Sequence, residues 1–299
     1  MIAKRLALLN KGLKTRRIDA LLVTNSANVG YLSGFAGSDS NLLVTSGRNY
    51  LFTDSRYIEE VRKNARGFEV RLVSKSMYDD LEDVILKEKI KRIGFEAMNL
   101  PYAVWDGLKN FCGKAELVPV KKIVEGIRAV KDKGEICHIR SSIKLAGKVL
   151  DKISAAIKPG AAESDISRAA EMEFIKNGAR LAYDAIIASG KNSSMPHARP
   201  GSRRISANDF IMIDIGCNLN GYCSDFTRMF VLGKPPARFV KMCDIVRAAQ
   251  EKAIDSVRPG VLAANIDFIA RSHIRDKGCL LYTSLSPRDG LLSRMPSSA

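Results

Sequence analysis

Two aspartates, Asp214 and Asp225, lie where the sequence predicts one β-hairpin, and we interpret them as half of a metal site. The Asn220-Gly221 pair between two apolar runs is the strongest short-range signal for a two-residue turn. That turn sets position 214 opposite position 227, and strand alternation then places Asp214, Asp225 and Thr227 on one face. Diagonal Cβ atoms on such a ribbon lie about 7 Å apart. Both carboxylates can therefore reach a pair of divalent cations about 3.5 to 4 Å apart.

The alternative is that the two acids are surface residues on a solvated hairpin. Against it, the opposite face is apolar at Ile211 and Ile213, and the residues that share the face of Asp214 include Phe210 and Met212. A ribbon that is apolar on both faces is expected to be buried, and buried carboxylates need partners. Without cations, two facing carboxylates would repel each other and one would take up a proton.

The residues around these acids resemble a known family. The string from Ile213 to Arg228 resembles the first metal-ligand segment of the pita-bread metallopeptidases, which include methionine aminopeptidase, aminopeptidase P, prolidase and the related hydrolase creatinase. Upstream, the segment from Ser189 to Pro200 is similar to the family segment whose histidine lines the active site. The resemblance implies that Asp214 binds one metal ion, that Asp225 bridges two, and that His197 is a catalytic residue.

On this resemblance, His197 would hold the substrate and help to stabilise the tetrahedral intermediate, while Thr227 would lie just behind the metal ligands. The cofactors implied are two divalent ions held by two Asp, one His and two Glu. Oxygen ligands with one imidazole suit Mn²⁺, with Co²⁺ or Zn²⁺ as alternatives. Such a pair lowers the pKa of a bridging water, so that a metal-bridged hydroxide attacks the scissile carbonyl.

The first part of the chain carries a second resemblance. The segments from Asn28 to Ser38 and from Tyr50 to Tyr57 resemble the creatinase-type N-terminal domain that precedes the catalytic domain in aminopeptidase P and prolidase. Methionine aminopeptidases lack this domain, so the two resemblances together favour an exopeptidase that hydrolyses the N-terminal Xaa-Pro bond of peptides. They also imply a homodimer in the full-length relative. Gly30 stands where many relatives have Arg, which could change a dimer contact.

The composition limits which other kinds of function the chain can have. At 299 residues and 46% hydrophobic content, the chain can bury two ordinary cores, so two domains are expected. The net charge of +16 comes from Lys and Arg spread along the chain without interleaved aromatic residues, so no nucleic-acid partner is expected. No stretch approaches the ~18 apolar residues of a membrane span. The six cysteines form no C-x-x-C pair, and cytoplasm is the expected compartment.

The pattern of apolar residues predicts the organisation of the chain. Alternating helical and strand patterns over residues 1–125 predict an α/β domain, a mixed sheet with helices on both faces. The resemblance implies that this domain is the creatinase-type N-terminal domain. Residues 126–278 are expected to form the first part of an α+β pita-bread metallopeptidase domain. Residues 279–299 contain turn residues without periodicity, and we expect a non-family tail that is disordered or artefactual.

The resemblance also implies a shortage of metal ligands. Relatives carry a later His-Gly-x-Gly-His segment and two Glu motifs, and neither occurs in this sequence. His138 and His273 lie in helical patterns and are expected to be surface or packing residues. We therefore expect a C-terminally truncated chain that lacks three of the five metal ligands, binds cations poorly and is inactive.

Two other functions remain open from the sequence. The first is creatinase-like hydrolysis of a small amidino substrate on the same two-domain framework. The second is a non-catalytic pita-bread protein that acts as a binding module, for RNA in view of the charge. The presence of Asp214, Asp225 and His197 argues against the second, because a binding module has no need of two inward-facing acids.

Overall fold

A computed structural model describes residues 1–35, 37, 40–65, 67–73 and 77–279 of the chain. Apart from Cys279, the tail predicted over residues 279–299 lies outside the described residues. The chain divides into two compact units, the first covering Met1–Val130 and the second beginning at Lys131. Among the described residues, no helix is both long and apolar enough to cross a membrane.

Six strands and six α-helices are found in the described part of the first unit. The strands are β1 (Ala20–Val23), β2 (Asn41–Thr45), β3 (Asn49–Thr53), β4 (Glu69–Leu72), β5 (Arg92–Glu96) and β6 (Glu116–Val120). The helices are α1 (Ile2–Thr15), α2 (Ser26–Ser33), α3 (Ile58–Asn64), α4 (Met77–Lys87), α5 (Tyr102–Phe111) and α6 (Ile123–Ala129). The strands form one sheet in the spatial order β4-β3-β2-β1-β5-β6. Because β1 pairs antiparallel with β2 and parallel with β5, the sheet is mixed, as predicted.

The central strand β1 shows why helices cover both faces of this sheet. Its residues are fully buried and apolar, as is usual for a strand with no solvated face. Ala20 and Leu22 belong to the cluster that includes residues of α4 and α5. Leu21 and Val23 belong to the cluster that includes residues of α1, α2 and α6. The predicted mixed sheet with helices on both faces is therefore confirmed.

Helix α2 is an element that the sequence patterns did not predict. It is short and contains Gly30, which weakens a helical signal. Its ends are nevertheless well capped, because the Asn25 side chain accepts hydrogen bonds from the amides of Ala27 and Asn28. Gly34 ends the helix with a left-handed φ of 77°. Both caps are standard helix boundary signals.

The second unit contains four helices and six short strands among its described residues. The helices are α7 (Lys133–Ser154), α8 (Glu163–Lys176), α9 (Ala237–Asp255) and α10 (Ala263–Asp276). The strands are β7 (Arg180–Leu181), β8 (Ile186–Ser189), β9 (Phe210–Ile215), β10 (Cys217–Leu219), β11 (Tyr222–Cys223) and β12 (Phe226–Val231). They form two three-stranded sheets, β12-β9-β8 and β11-β10-β7. The apolar core of this unit joins α7 and α8 to β8 and β9.

The register predicted for the aspartate hairpin is correct, but the hairpin is not continuous. Leu219 pairs with Tyr222, and Asp214 pairs with Thr227. Between these pairs, at Gly216, the ribbon divides into two pieces that belong to different sheets. A Cβ atom at this glycine would lie 2.0 Å from the carbonyl oxygen of Ser224, so only glycine permits the close approach at the break.

The expected burial of both faces of this ribbon is wrong. On β9, Ile211, Ile213 and Ile215 are fully buried in the core with α7 and α8. Asp214 is half-buried, and Asp225 is exposed. The two helices pack against the isoleucine face, so the acid face lines an open cleft instead of a closed core.

We expect Gly216→Ala to lower the free energy of unfolding by about 1–3 kcal/mol, because the added methyl must displace the Ser224 carbonyl. Gly147→Ala is the matched control, since Gly147 lies inside α7 with nothing within 4 Å of the added atom. It should raise the free energy of unfolding by about 0.5–1 kcal/mol. Urea denaturation followed by circular dichroism measures both, and equal stability of the two variants would contradict the prediction.

Candidate active site

The second unit contains a cleft of about 500 Å³. The residues that line it are Tyr183, Asp184, Ala185, Ile186, His197, Ala198, Arg199, Pro200, Asp214 and Asp225. Three of the four site residues predicted from the sequence therefore lie around one opening. A cleft of this size suits a small molecule or a short peptide.

Separate elements bring these side chains together. Asp214 is on β9, which is held between β8 and β12, where it pairs with Ile186 and Thr227. Asp225 immediately precedes β12, at the place where the ribbon divides. His197 lies in the loop that follows the 3₁₀ turn Gly190–Ser194. Asp214 thus lies within a strand, Asp225 lies directly before one, and His197 lies in a loop.

The hydroxyl of Tyr183 lies between the two acids. Its oxygen is 2.6 Å from Asp214 Oδ1 and 2.7 Å from Asp225 Oδ1. A phenolic hydroxyl has one proton, so it can donate to only one of the two carboxylates at a time. The oxygen of the other carboxylate then faces the Tyr183 oxygen with no proton between the two atoms. A cation placed between the acids would relieve this repulsion.

The environment of Tyr183 keeps its hydroxyl protonated. Burial, followed by the hydrogen bonds to Asp214 and Asp225, raises the pKa of the phenol far above its usual value. A negative phenolate beside two carboxylates would be costly, so the residue remains a neutral donor near neutral pH.

Thr227 is not brought into the cleft. It pairs with Asp214 across the ladder, but its side chain is exposed and does not line the opening. Within the described part of the chain, its hydroxyl makes no hydrogen bond. Its place behind the metal ligands therefore remains a prediction from the resemblance.

Sequence reasoning missed three charged or polar side chains of the cleft: Tyr183, Asp184 and Arg199. Asp184 and Arg199 are exposed and give the cleft an additional charge of each sign. Tyr183 lies 31 residues before Asp214, so no hairpin or helix periodicity connects them. The available signal was a Tyr-Asp pair one residue before the apolar strand β8.

The donor set fits a shared cation only in part. Asp214 and Asp225 point two hard oxygens at one position, as a bridging cation requires. In the part of the chain that the structure describes, no group of three or more His, Cys, Asp or Glu side chains could hold a metal ion. His138 stacks on Tyr222 with ring centroids 5.3 Å apart, in agreement with the prediction of a packing residue.

Two family models match the chain. Residues 5–130 match the creatinase/prolidase N-terminal domain, and residues 137–290 match metallopeptidase family M24. The second range extends beyond Gly278, where the resemblance is predicted to end.

Individual relatives are similar over most of the chain. An uncharacterised peptidase of Bacillus subtilis is 32% identical, over 92% of this chain and 78% of the relative. An Xaa-Pro dipeptidase of Pyrococcus horikoshii is 31% identical, over 87% of this chain and 73% of the relative. Among solved structures, an Xaa-Pro dipeptidase from Bacillus anthracis has a TM-score of 0.89 at 29% identity, covering 93% of this chain and 78% of that one. An X-Pro aminopeptidase from Thermotoga maritima has a TM-score of 0.81 at 33% identity, covering 88% and 76%.

Replacing Tyr183 by Phe should destabilise the metal-free chain. Among the described residues, the change removes the one hydroxyl that contacts both Asp214 and Asp225, so we expect the free energy of unfolding to fall by about 1–2 kcal/mol. Tyr102→Phe is the control, because Tyr102 is 73% exposed and such surface changes stay within about 0.5 kcal/mol. Denaturation in the presence of a chelator measures both variants. Equal effects would show that the Tyr183 hydroxyl contributes nothing to the pair.

Proposed function

The chain belongs to metallopeptidase family M24, with a creatinase-type N-terminal domain followed in the sequence by the pita-bread fold, as its motifs predict, and we propose that it carries half of a dinuclear centre for hydrolysing the N-terminal Xaa-Pro bond of peptides. One observation carries the proposal. The two carboxylates converge on a single hydroxyl inside a cleft that also contains His197.

The relatives support the choice of substrate. The Pyrococcus horikoshii and Bacillus anthracis proteins are Xaa-Pro dipeptidases, and the Thermotoga maritima protein is an X-Pro aminopeptidase. We therefore propose a peptide with proline at its second position as the substrate class. The cleft volume of about 500 Å³ is compatible with a short peptide.

The residues of this chain have distinct roles in the proposal. Asp214 would bind one cation and Asp225 would bridge two, with Mn²⁺ favoured because both donors are hard oxygens. When bound, the divalent pair would polarise the scissile carbonyl and lower the pKa of a water molecule. His197 would hold the peptide and donate a hydrogen bond to the oxygen on which negative charge develops. Tyr183, as a neutral donor, would orient the carboxylates.

The same residues also limit what the chain does by itself. The sequence has three histidines, and among the described residues only His197 lines the cleft. Two carboxylates without a third ligand among the described residues should bind divalent cations weakly, since they supply only part of the charge and of the coordination that a divalent ion needs. We propose that the chain alone binds Mn²⁺ at this position but does not turn over peptide.

Two further proposals concern the cellular compartment, which we propose is the cytoplasm, and the oligomeric state. The six cysteines, all at described positions, are free, which is usual for a protein kept in reducing cytoplasm. The homodimer implied by the resemblance is likewise a proposal.

Added Mn²⁺ should raise the melting temperature of the second unit, because a ligand that binds only the folded state stabilises it. At a free Mn²⁺ concentration of about a hundred times the dissociation constant, we expect the melting temperature to rise by about 5–10 °C. Asp214→Asn and Asp225→Asn should each abolish the rise, since each removes one of the two charged donors. Differential scanning calorimetry with and without Mn²⁺ measures the effect, and a chelator should reverse it.

Asp151→Asn is the matched control, because Asp151 is an exposed acid on α7 that does not line the cleft. It should keep the full Mn²⁺ effect. The same effect in all four proteins would place the bound metal elsewhere and contradict the site. Release of the first residue from an Xaa-Pro peptide by the Mn²⁺-loaded chain would contradict the proposal that its centre is incomplete.

A further inference from the structure

Glu163 is a buried carboxylate in the first turn of α8 that does not line the cleft. The residue is 1% exposed. Its Oε1 accepts hydrogen bonds from the amide and the hydroxyl of Ser189, both at 2.7 Å. Its Oε2 accepts one from the amide of Gly201 at 3.4 Å, and the side-chain amide of Asn192 lies 3.2 and 3.3 Å from the two oxygens. One carboxylate thus collects donors from three places in the chain.

These donors bracket the loop that carries His197. Ser189 is the last residue of β8, whereas Gly201 follows the cleft-lining residues of the loop. Two backbone hydrogen bonds add to the anchor at the far end, from the Glu163 amide to the carbonyl of Arg203 at 3.1 Å and from the Ser164 amide to that of Gly201 at 3.0 Å. Glu163 therefore ties together the two ends of the segment 189–201.

Among the described residues, the buried charge of Glu163 is stabilised by N–H and O–H donors, and Arg203 is connected to it only through Ser189. The guanidinium of Arg203 donates to Ser189 Oγ at 2.9 Å and to Asp209 Oδ2 at 2.9 Å. An ionised side chain without such partners would be costly to bury. Stability alone does not require a carboxylate here, because well-packed apolar residues often replace buried charges without loss.

We propose that Glu163 is a positioning residue that holds the segment 189–201 so that His197 faces Asp214 and Asp225. The ring of His197 is exposed and, among the described residues, makes no hydrogen bond of its own. Its position therefore depends on how the ends of its loop are held. The competing explanation is that Glu163 only stabilises the N-terminus of α8 by its negative charge.

Glu163→Gln separates these explanations. The amide keeps the shape of the side chain and an acceptor for Ser189, but it turns a donor toward the amide of Gly201 and so weakens the anchor at that end of the loop, where the two backbone hydrogen bonds remain. With only three histidines in the chain, the imidazole C–H signals are readily resolved by NMR, and His197→Gln assigns one of them. We expect the sharp His197 signal to broaden or divide in Glu163→Gln. The affinity of the Mn²⁺-loaded chain for Ala-Pro should fall about tenfold.

Glu135→Gln is the matched control. Glu135 is 4% exposed, lies in the first turn of α7, and accepts hydrogen bonds from the Asp132 amide at 3.0 Å and the Tyr222 hydroxyl at 3.2 Å. It does not line the cleft, so its replacement should lower the melting temperature and leave the His197 signal unchanged. If Glu163→Gln also lowers only the melting temperature, with the His197 signal and the Ala-Pro affinity within about twofold of the parent, the positioning role is wrong.

Only the peptide-binding part of this test rests on the proposed function. If the parent chain does not bind Ala-Pro, the proposed function fails, and the His197 signal alone decides the role of Glu163. Should Glu163→Gln not fold, Ser189→Ala takes its place, because it retains the carboxylate and removes one hydroxyl donor at 2.7 Å. It should broaden the His197 signal relative to the parent chain, and an unchanged signal would overturn the proposal.

Discussion

Asp214 and Asp225 place two carboxylate oxygens against the single hydroxyl of Tyr183, and this contact is the constraint on which the cleft depends. One proton cannot satisfy both oxygens at once. Like charges so close together need a proton or a cation between them, and their natural tendency is to move apart. The second unit therefore has to hold in place a pair of groups that repel each other, and its strands and buried isoleucines supply the rigidity.

Three features of the second unit hold the side chains of the cleft in place. The isoleucine face of β9 is locked into the core with α7 and α8, which fixes the direction of Asp214. The close approach of Gly216 to Ser224 divides the ribbon next to Asp225 and lets that acid face the cleft. Glu163 joins the two ends of the loop that carries His197. Apolar packing thus holds the acids, whereas a buried polar network holds the histidine, and the two meet where Ser189 pairs with Ile211.

The sequence predicted those features of the site that depend on residues close together in the chain. The Asn220-Gly221 turn has left-handed φ values of 54° and 84°, and this turn sets the register that pairs Asp214 with position 227. The break at Gly216 was not predictable, because it depends on a contact with one carbonyl and not on periodicity. Tyr183 and Glu163 were missed for a related reason. Their partners lie 26 to 42 residues away, and only the folded chain brings them together.

The central claim is that the carboxylate pair, on which the Tyr183 hydroxyl converges, is a cation site. Crystals of the purified chain, soaked in Mn²⁺ and measured at the manganese absorption edge, test it most directly. The account predicts an anomalous peak within about 2.5 Å of an oxygen of both Asp214 and Asp225, with the Tyr183 hydroxyl displaced from between them. A map with no peak at this position, and with Tyr183 still in contact with both acids, would contradict it.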